Sequence, residues 1–237
     1  MSLNLIKVKA FLRIGGCMLT TEEILETRKI PKLKDITLKQ VQEYHDEYLI
    51  NKIYRYTLRP NKKKETFDID IRFFKDSLPH LLGIHKVVPS YNKKLYAGQD
   101  GYDKIFNEDI TIEKLENFDK QRPRSEKQFP KTKDRITHYF LIDYLMDKCK
   151  IIKFDASKVH GCCNLKSDFI LFNEELGVKL QLGVVKEAGK PDLYVPETFI
   201  PKKLTARDKD RLTAAPPQTY MNIENKAIIN LIAENAR

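Results

Sequence analysis

The sequence predicts an α+β fold, and two observations carry that expectation. Apolar residues recur at helical spacing through the first half, whereas the second half changes to four short β-rich runs separated by turn-like segments. At 237 residues, with 41% hydrophobic and 32% charged side chains, the chain has a globular composition and can bury a substantial core; one core with tails is expected.

Residues 1–36 read as an N-terminal extension. The opening MSLNLIKVKAFLRIGGCMLTT has its apolar part broken by Lys7, Lys9 and Arg13, so it is a poor signal peptide and too short to span a membrane. Met18 offers an alternative start, which would make the preceding residues an upstream addition. The main domain is expected over 37–200. It starts with Thr37 capping a helix of LKQVQEYHDEYLI, whose Leu38, Val41, Tyr44, Tyr48 and Leu49 share a face, with Lys39 and His45 on its other faces. IYRYTLR and TFDIDIRFF then alternate around the polar PNKKKE and predict a hairpin. Next, FKDSLPHLLG predicts a short helix capped by Ser77, with Pro79 in its first turn and Gly83 as a left-handed stop. His80 falls on that helix and His85 just beyond it.

Two further helices are predicted, over GYDKIFNED and over TIEKLENFDK, the second capped by Thr111. The basic, proline-containing run from Lys120 to Arg135 reads as a linker without apolar periodicity. ITHYFLIDYLMDKC then predicts the buried helix of the domain. KIIKF, SDFILF, GVKLQLGVV and DLYVPETFI predict an antiparallel meander. In the third run Val178, Leu180, Leu182 and Val184 face one way, leaving Lys179, Gln181 and Gly183 on a face free to meet a ligand. Residues 201–237 read as a polar linker and a C-terminal amphipathic helix built on Ile223, Ala227, Ile228, Leu231 and Ile232, an appendage that docks on the domain or on a partner.

The 43 Lys+Arg against 33 Asp+Glu leave a formal charge of +10, which favours an anionic partner such as nucleic acid and also serves solubility. Cys17, Cys149, Cys162 and Cys163 are too few and too badly spaced for a disulfide framework, so a reducing cytoplasm is expected. No Gly-rich phosphate loop, nucleophile elbow or H-E-x-x-H is present. His160 with Cys162 and Cys163 lacks the second ligand pair that a zinc site needs. Neither a metal nor a cofactor is expected.

LPHLLGIHK concentrates chemistry: His80, His85 and Lys86 lie around one glycine. Histidine takes and gives protons near neutral pH, and an adjacent lysine stabilises phosphate charge. Metal-free RNA cleavage needs such a set: a base for the 2′-hydroxyl, an acid for the leaving 5′-oxygen, and cations on the phosphorane. The competing reading has His80 satisfying a helix end and His85 starting a loop. Arg135 opens the predicted apolar helix, a poor match to its dipole unless an ion pair or a phosphate holds it there. Ser167, Asp168 and Thr198 sit at strand ends, where hydroxyls hold a phosphate or simply cap and turn.

Taken in order, the hairpin leading into LPHLLGIHK, then YAGQDGYDKIFNEDITIEKL, the arginine-led helix, SDFILF and LYVPETFI resemble a phage nuclease-like family. It is the fourth phage family in the group that includes barnase, EndoU, colicin nucleases and RelE. The resemblance runs from Tyr54 to Ile200. It implies N-terminal helices packed on a four-stranded antiparallel sheet, with a metal-independent ribonuclease site on the open face of the sheet. Carried onto this sequence, it implies catalytic roles for His80, His85, Arg135 and Thr198 and substrate-binding roles for Ser167 and Asp168; the site expected here adds Lys86 to the catalytic residues and Gln181 and Lys153 to the substrate-binding ones. Gln181 stands where the family is expected to favour histidine, and glutamine cannot exchange protons. The implied function is a metal-independent endoribonuclease of phage or bacterial conflict type, acting in the cytoplasm on RNA and open to a protein inhibitor or partner through the C-terminal helix. The alternative is a non-catalytic nucleic-acid- or protein-binding module on the same fold. A DNA-binding regulator has less support, because no helix-turn-helix spacing is present.

Overall fold

The computed structural model describes residues 18–61, 64–159, 165–203 and 218–231. The expectations for the first 17 residues, for His160, Cys162 and Cys163, for the polar segment 204–217 and for the last six residues lie outside these. Eight helices are described: α1 (Thr21–Thr27), α2 (Leu38–Tyr44), α3 (Leu78–Leu82), α4 (Ile84–Val87), α5 (Gly98–Phe106), α6 (Ile112–Lys120), α7 (Phe129–His138) and α8 (Ile142–Lys148). The strands are β1 (Lys52–Arg59), β2 (Phe67–Arg72), β3 (Lys150–Lys153), β4 (Phe169–Asn173), β5 (Val178–Lys186), β6 (Leu193–Lys203) and β7 (Thr219–Asn230).

The strands form a closed barrel in the order β1-β2-β6-β5-β4-β3-β7. This corrects the expected four-stranded antiparallel sheet. The predicted meander is present as β3-β4-β5-β6, antiparallel throughout. The β1–β2 hairpin joins it through a short parallel pairing of β2 with β6. Closure comes from β7, which pairs antiparallel with β1 on one side and β3 on the other. The predicted C-terminal docking helix is therefore a strand. β1 and β3 would otherwise each present an unpaired edge, and a strand rich in β-branched isoleucines satisfies both. The apolar spacing read as helical cannot reveal those distant partners.

Core-facing residues alternate along the strands: Tyr54, Tyr56 and Leu58 on β1, Ile69 and Ile71 on β2, and Val178, Leu180, Leu182 and Val184 on β5 are all buried. Helix residues complete the same core, including Val41, Leu81, Leu82, Ile105, Leu115, Ile136 and Leu145. The fully buried Tyr44, Tyr54, Tyr56 and Tyr139 keep their hydroxyls paired, as burial of a polar group demands. The Tyr56 hydroxyl donates to the Met146 carbonyl at 2.6 Å, tying β1 to α8, and that of Tyr44 accepts from the Asp143 amide at 3.0 Å.

Thr37 and Thr111 cap α2 and α6 as expected, each accepting an amide three residues on. Ser77 does not cap α3; its hydroxyl donates instead to the Phe74 carbonyl at 2.6 Å. α2 continues as a π-helical turn from His45 to Ile50. His45, expected on an outer face, is fully buried there between Phe74 and Tyr139. Since the Phe74 carbonyl can only accept, Nε2 carries the proton and Nδ1 accepts from the Tyr139 hydroxyl.

The basic linker is also largely structured. α7 begins at Phe129 with Pro130 in its first turn and buries Phe129, Thr132, Arg135 and Ile136 along one face. A threonine and an arginine on that face hide it from a search for apolar periodicity. Arg135 consequently lies in the last turn of α7, where its charge suits the carbonyl end of the dipole, not at the start of a helix. The predicted single apolar helix is the end of α7, a 3₁₀ turn at Tyr139–Leu141, and α8.

Candidate active site

Gly83 organises the histidine segment. It ends α3 with φ +76° and starts α4, a left-handed conformation that glycine adopts without penalty. The reversal brings His80 on α3 face to face with His85 on α4: the ring centroids are 4.5 Å apart and the planes 4° from parallel. His80 is exposed and His85 half-buried. The His85 Nδ1 is buried and makes no hydrogen bond.

Residues of the supposed linker hold this unit in place. The Thr132 hydroxyl donates to the Gly83 carbonyl and Arg135 Nη1 to the Leu81 carbonyl, each at 3.2 Å. Arg122 donates to the carbonyls of Lys86 and Val88 at 2.8 and 2.7 Å, closing the C-terminal end of α4. Arg135 is itself buried, and a β-carbon on Gly83 would stand 3.1 Å from its Nη1.

The cations act on one another. Desolvation, then His80, Lys86 and Arg135, push the His85 imidazole down to about 4. Desolvation followed by Lys86 and Arg135 lowers His80, and Glu197 opposes them. Desolvation and the neighbouring Arg135 and Lys131 lower Lys86. Desolvation alone lowers Arg135. An anion bound here would offset the charges of Lys86 and Arg135 that bear on both histidines.

Glu197 is the functional candidate that the sequence reading missed. Along β6 the register passes from Pro196, opposite Val184, to Thr198, opposite Gly183, so Glu197 is a bulge residue without a partner on β5. Glu197 and His80 line one cavity of about 640 Å³, with Phe74, Lys75 and Gln99. The Ser167 hydroxyl reaches Glu197 Oε2 at 3.4 Å. Gly183 permits this approach: a β-carbon there would meet Ser167 Oγ at 2.2 Å and Thr198 Cγ2 at 2.9 Å.

Thus His80, His85, Lys86 and Arg135 gather around Gly83, and Ser167 joins them through Glu197, with Thr198 flanking across Gly183. Three predicted residues stand apart. Asp168 extends β4, its carboxylate accepting the Lys186 amide at 2.8 Å. Gln181 lies two residues from Gly183 on the same side of β5, opposite Phe172 and Ile200. Lys153, at the end of β3, lines a second cavity. Among the described residues no group of three or more His, Cys, Asp or Glu is placed to hold a metal ion. None of their helices is long and apolar enough to cross a membrane.

A family model described as PBECR4, phage-Barnase-EndoU-ColicinE5/D-RelE like nuclease4, matches residues 37–235. No curated protein and no solved structure matches the chain significantly.

Proposed function

The chain belongs to this family of phage-Barnase-EndoU-ColicinE5/D-RelE like nucleases, and we propose that it cleaves RNA without a metal, using His80 and His85 as its acid–base pair. The observation that carries this reading is the parallel stack of the two rings at 4.5 Å, which lets one phosphate meet both side chains. Histidines on opposite sides of the helix end could not have done so.

In this mechanism His85, held neutral by its surroundings, removes the proton of the 2′-hydroxyl. The O2′ attacks the adjacent phosphorus, and the P–O5′ bond breaks as His80 protonates the leaving oxygen. Glu197 partly offsets the desolvation, Lys86 and Arg135 that lower His80. Lys86 and Arg135 offset the charge of the phosphorane, and Ser167 and Thr198 hold its oxygens. The products are a 2′,3′-cyclic phosphate and a 5′-hydroxyl. Family membership and the +10 charge support nucleic acid as the substrate class, and a phage or bacterial conflict role in the cytoplasm follows from the same reading.

The test is cleavage of end-labelled RNA in EDTA beside the same sequence with a single 2′-deoxy substitution. Cleavage leaving a 2′,3′-cyclic phosphate, abolished at the substituted position, is expected. Cleavage that tolerates the substitution would rule out 2′-hydroxyl attack. RNA that is retarded on a gel yet stays intact would favour the binding-module alternative.

A further inference from the structure

A second cavity of about 420 Å³ opens beside the candidate active site, between the end of β3, the start of β4 and the first residue of β7. Among the described residues its lining combines the half-buried Phe154 with Leu165, the exposed Lys153 and Lys166, the hydroxyls of Ser167 and Thr219, and Asp155, whose carboxylate accepts from the amide and hydroxyl of Ser157. Ser167 connects it to the first cavity. That side chain lines the second cavity and reaches, at 3.4 Å, the Glu197 carboxylate that lines the first with His80.

We propose that this cavity is the subsite for a nucleotide flanking the scissile phosphate of a single-stranded RNA, with Phe154 receiving the base and Lys153 and Lys166 the phosphate. The proposal rests on the ribonuclease reading above. Cleavage by 2′-hydroxyl attack engages the ribose on one side of the phosphate and the leaving oxygen on the other, so the chain must continue past His80. The contact of Ser167, which lines the second cavity, with Glu197, which lines the first, makes the second cavity its next stop. An aromatic ring at hand for stacking, with lysines beside it, is the composition by which single-stranded nucleic acid is held. Neither lysine makes an ion pair among the described residues, so their charge is available. Hydrogen bonds fix the Phe154–Asp155 backbone at this cavity: the Phe154 amide donates to the Asp168 carbonyl at 2.8 Å, and the Gln218 side chain accepts the Asp155 amide at 2.8 Å while donating to its carbonyl at 3.0 Å. The role also accounts for Lys153 standing apart from the histidines.

The experiment measures affinity of the full chain for fluorescein-labelled, 2′-O-methylated RNA dinucleotides and tetranucleotides, which have no 2′-hydroxyl to attack, at fixed salt, for wild type, Phe154→Leu and Lys166→Ala. Wild type is expected to gain at least about fivefold on lengthening, the contribution of one stacked base. Both variants should lose most of that gain. A gain that survives in both variants overturns the subsite and leaves the nuclease reading standing. Failure to bind RNA of either length overturns both.

Discussion

Replacing Gly83 by alanine tests the geometry that brings the histidines together. At φ +76° an L-residue costs about 1–2 kcal/mol relative to glycine. The new β-carbon would also stand 3.1 Å from Arg135 Nη1 and 3.4 Å from Thr132 Oγ1. Arg135 must then give way, and its 3.2 Å bond to the Leu81 carbonyl, a charged hydrogen bond in a buried setting, is worth a further ~1.5 kcal/mol. Gly177→Ala supplies the control. It has nearly the same backbone, φ +71°, and nothing within 4 Å of the added carbon, so it carries the strain without the contact. Thermal unfolding followed by circular dichroism should show Gly177→Ala losing roughly 2–8 °C for a chain of this size, and Gly83→Ala a further ~3–6 °C. Equal losses in the two variants would refute the contact with Arg135. No loss at Gly83 would refute the left-handed turn itself.

Three other outcomes are expected. Burial holds the His45 imidazole down to about 4 from its ordinary 6.5, so the unfolded chain binds the proton more readily, and stability present above pH 6.5 is lost as the pH falls toward 4. Urea unfolding at pH 7.5 and 4.5 should show a loss on the order of 2–3 kcal/mol in wild type that is missing from His45→Gln, and identical pH dependences would contradict it. Gly183→Ala should destabilise by about 2 kcal/mol through overpacking against Ser167, and adding Ser167→Gly should restore most of that in a thermal melt; no restoration would mean that the clash lies elsewhere. If Lys86 faces the phosphate, Lys86→Ala should lower the slope of log affinity against log salt by about 0.7 for single-stranded RNA, and an unchanged slope would remove it from the interface.

The legible parts of the fold were those decided within a few residues. Thr37 and Thr111 cap because each stands before a run with helical spacing, and Gly83 stops a helix because its left-handed conformation is a choice made at that one residue. The histidines were found for the same reason, since they lie on either side of that glycine. What escaped was set by distant segments. β7 is a strand because β1 and β3 offer it two edges, and Arg135 belongs to α7 because the Leu81 carbonyl and the Gly83 turn receive its side chain. Ser77 donates backwards to Phe74 because a 3₁₀ turn precedes α3. His45 is buried because Phe74 and Tyr139 close over it. Glu197 reads as a spacer in PETF until the register of β5 against β6 exposes the bulge. The only sequence signal for it was Pro196 inside a strand, a residue that sheets tolerate at bulges and edges.

Single-turnover cleavage of one RNA in EDTA by wild type, His80→Ala, His85→Ala and the double variant, each shown by thermal melt to be folded, tests the acid–base pair directly. Each single variant should lose at least about a hundredfold in rate, and the double variant little more than the worse single, because the two side chains act in one step. A wild-type rate in either single variant would contradict the pairing of His80 with His85 as acid and base.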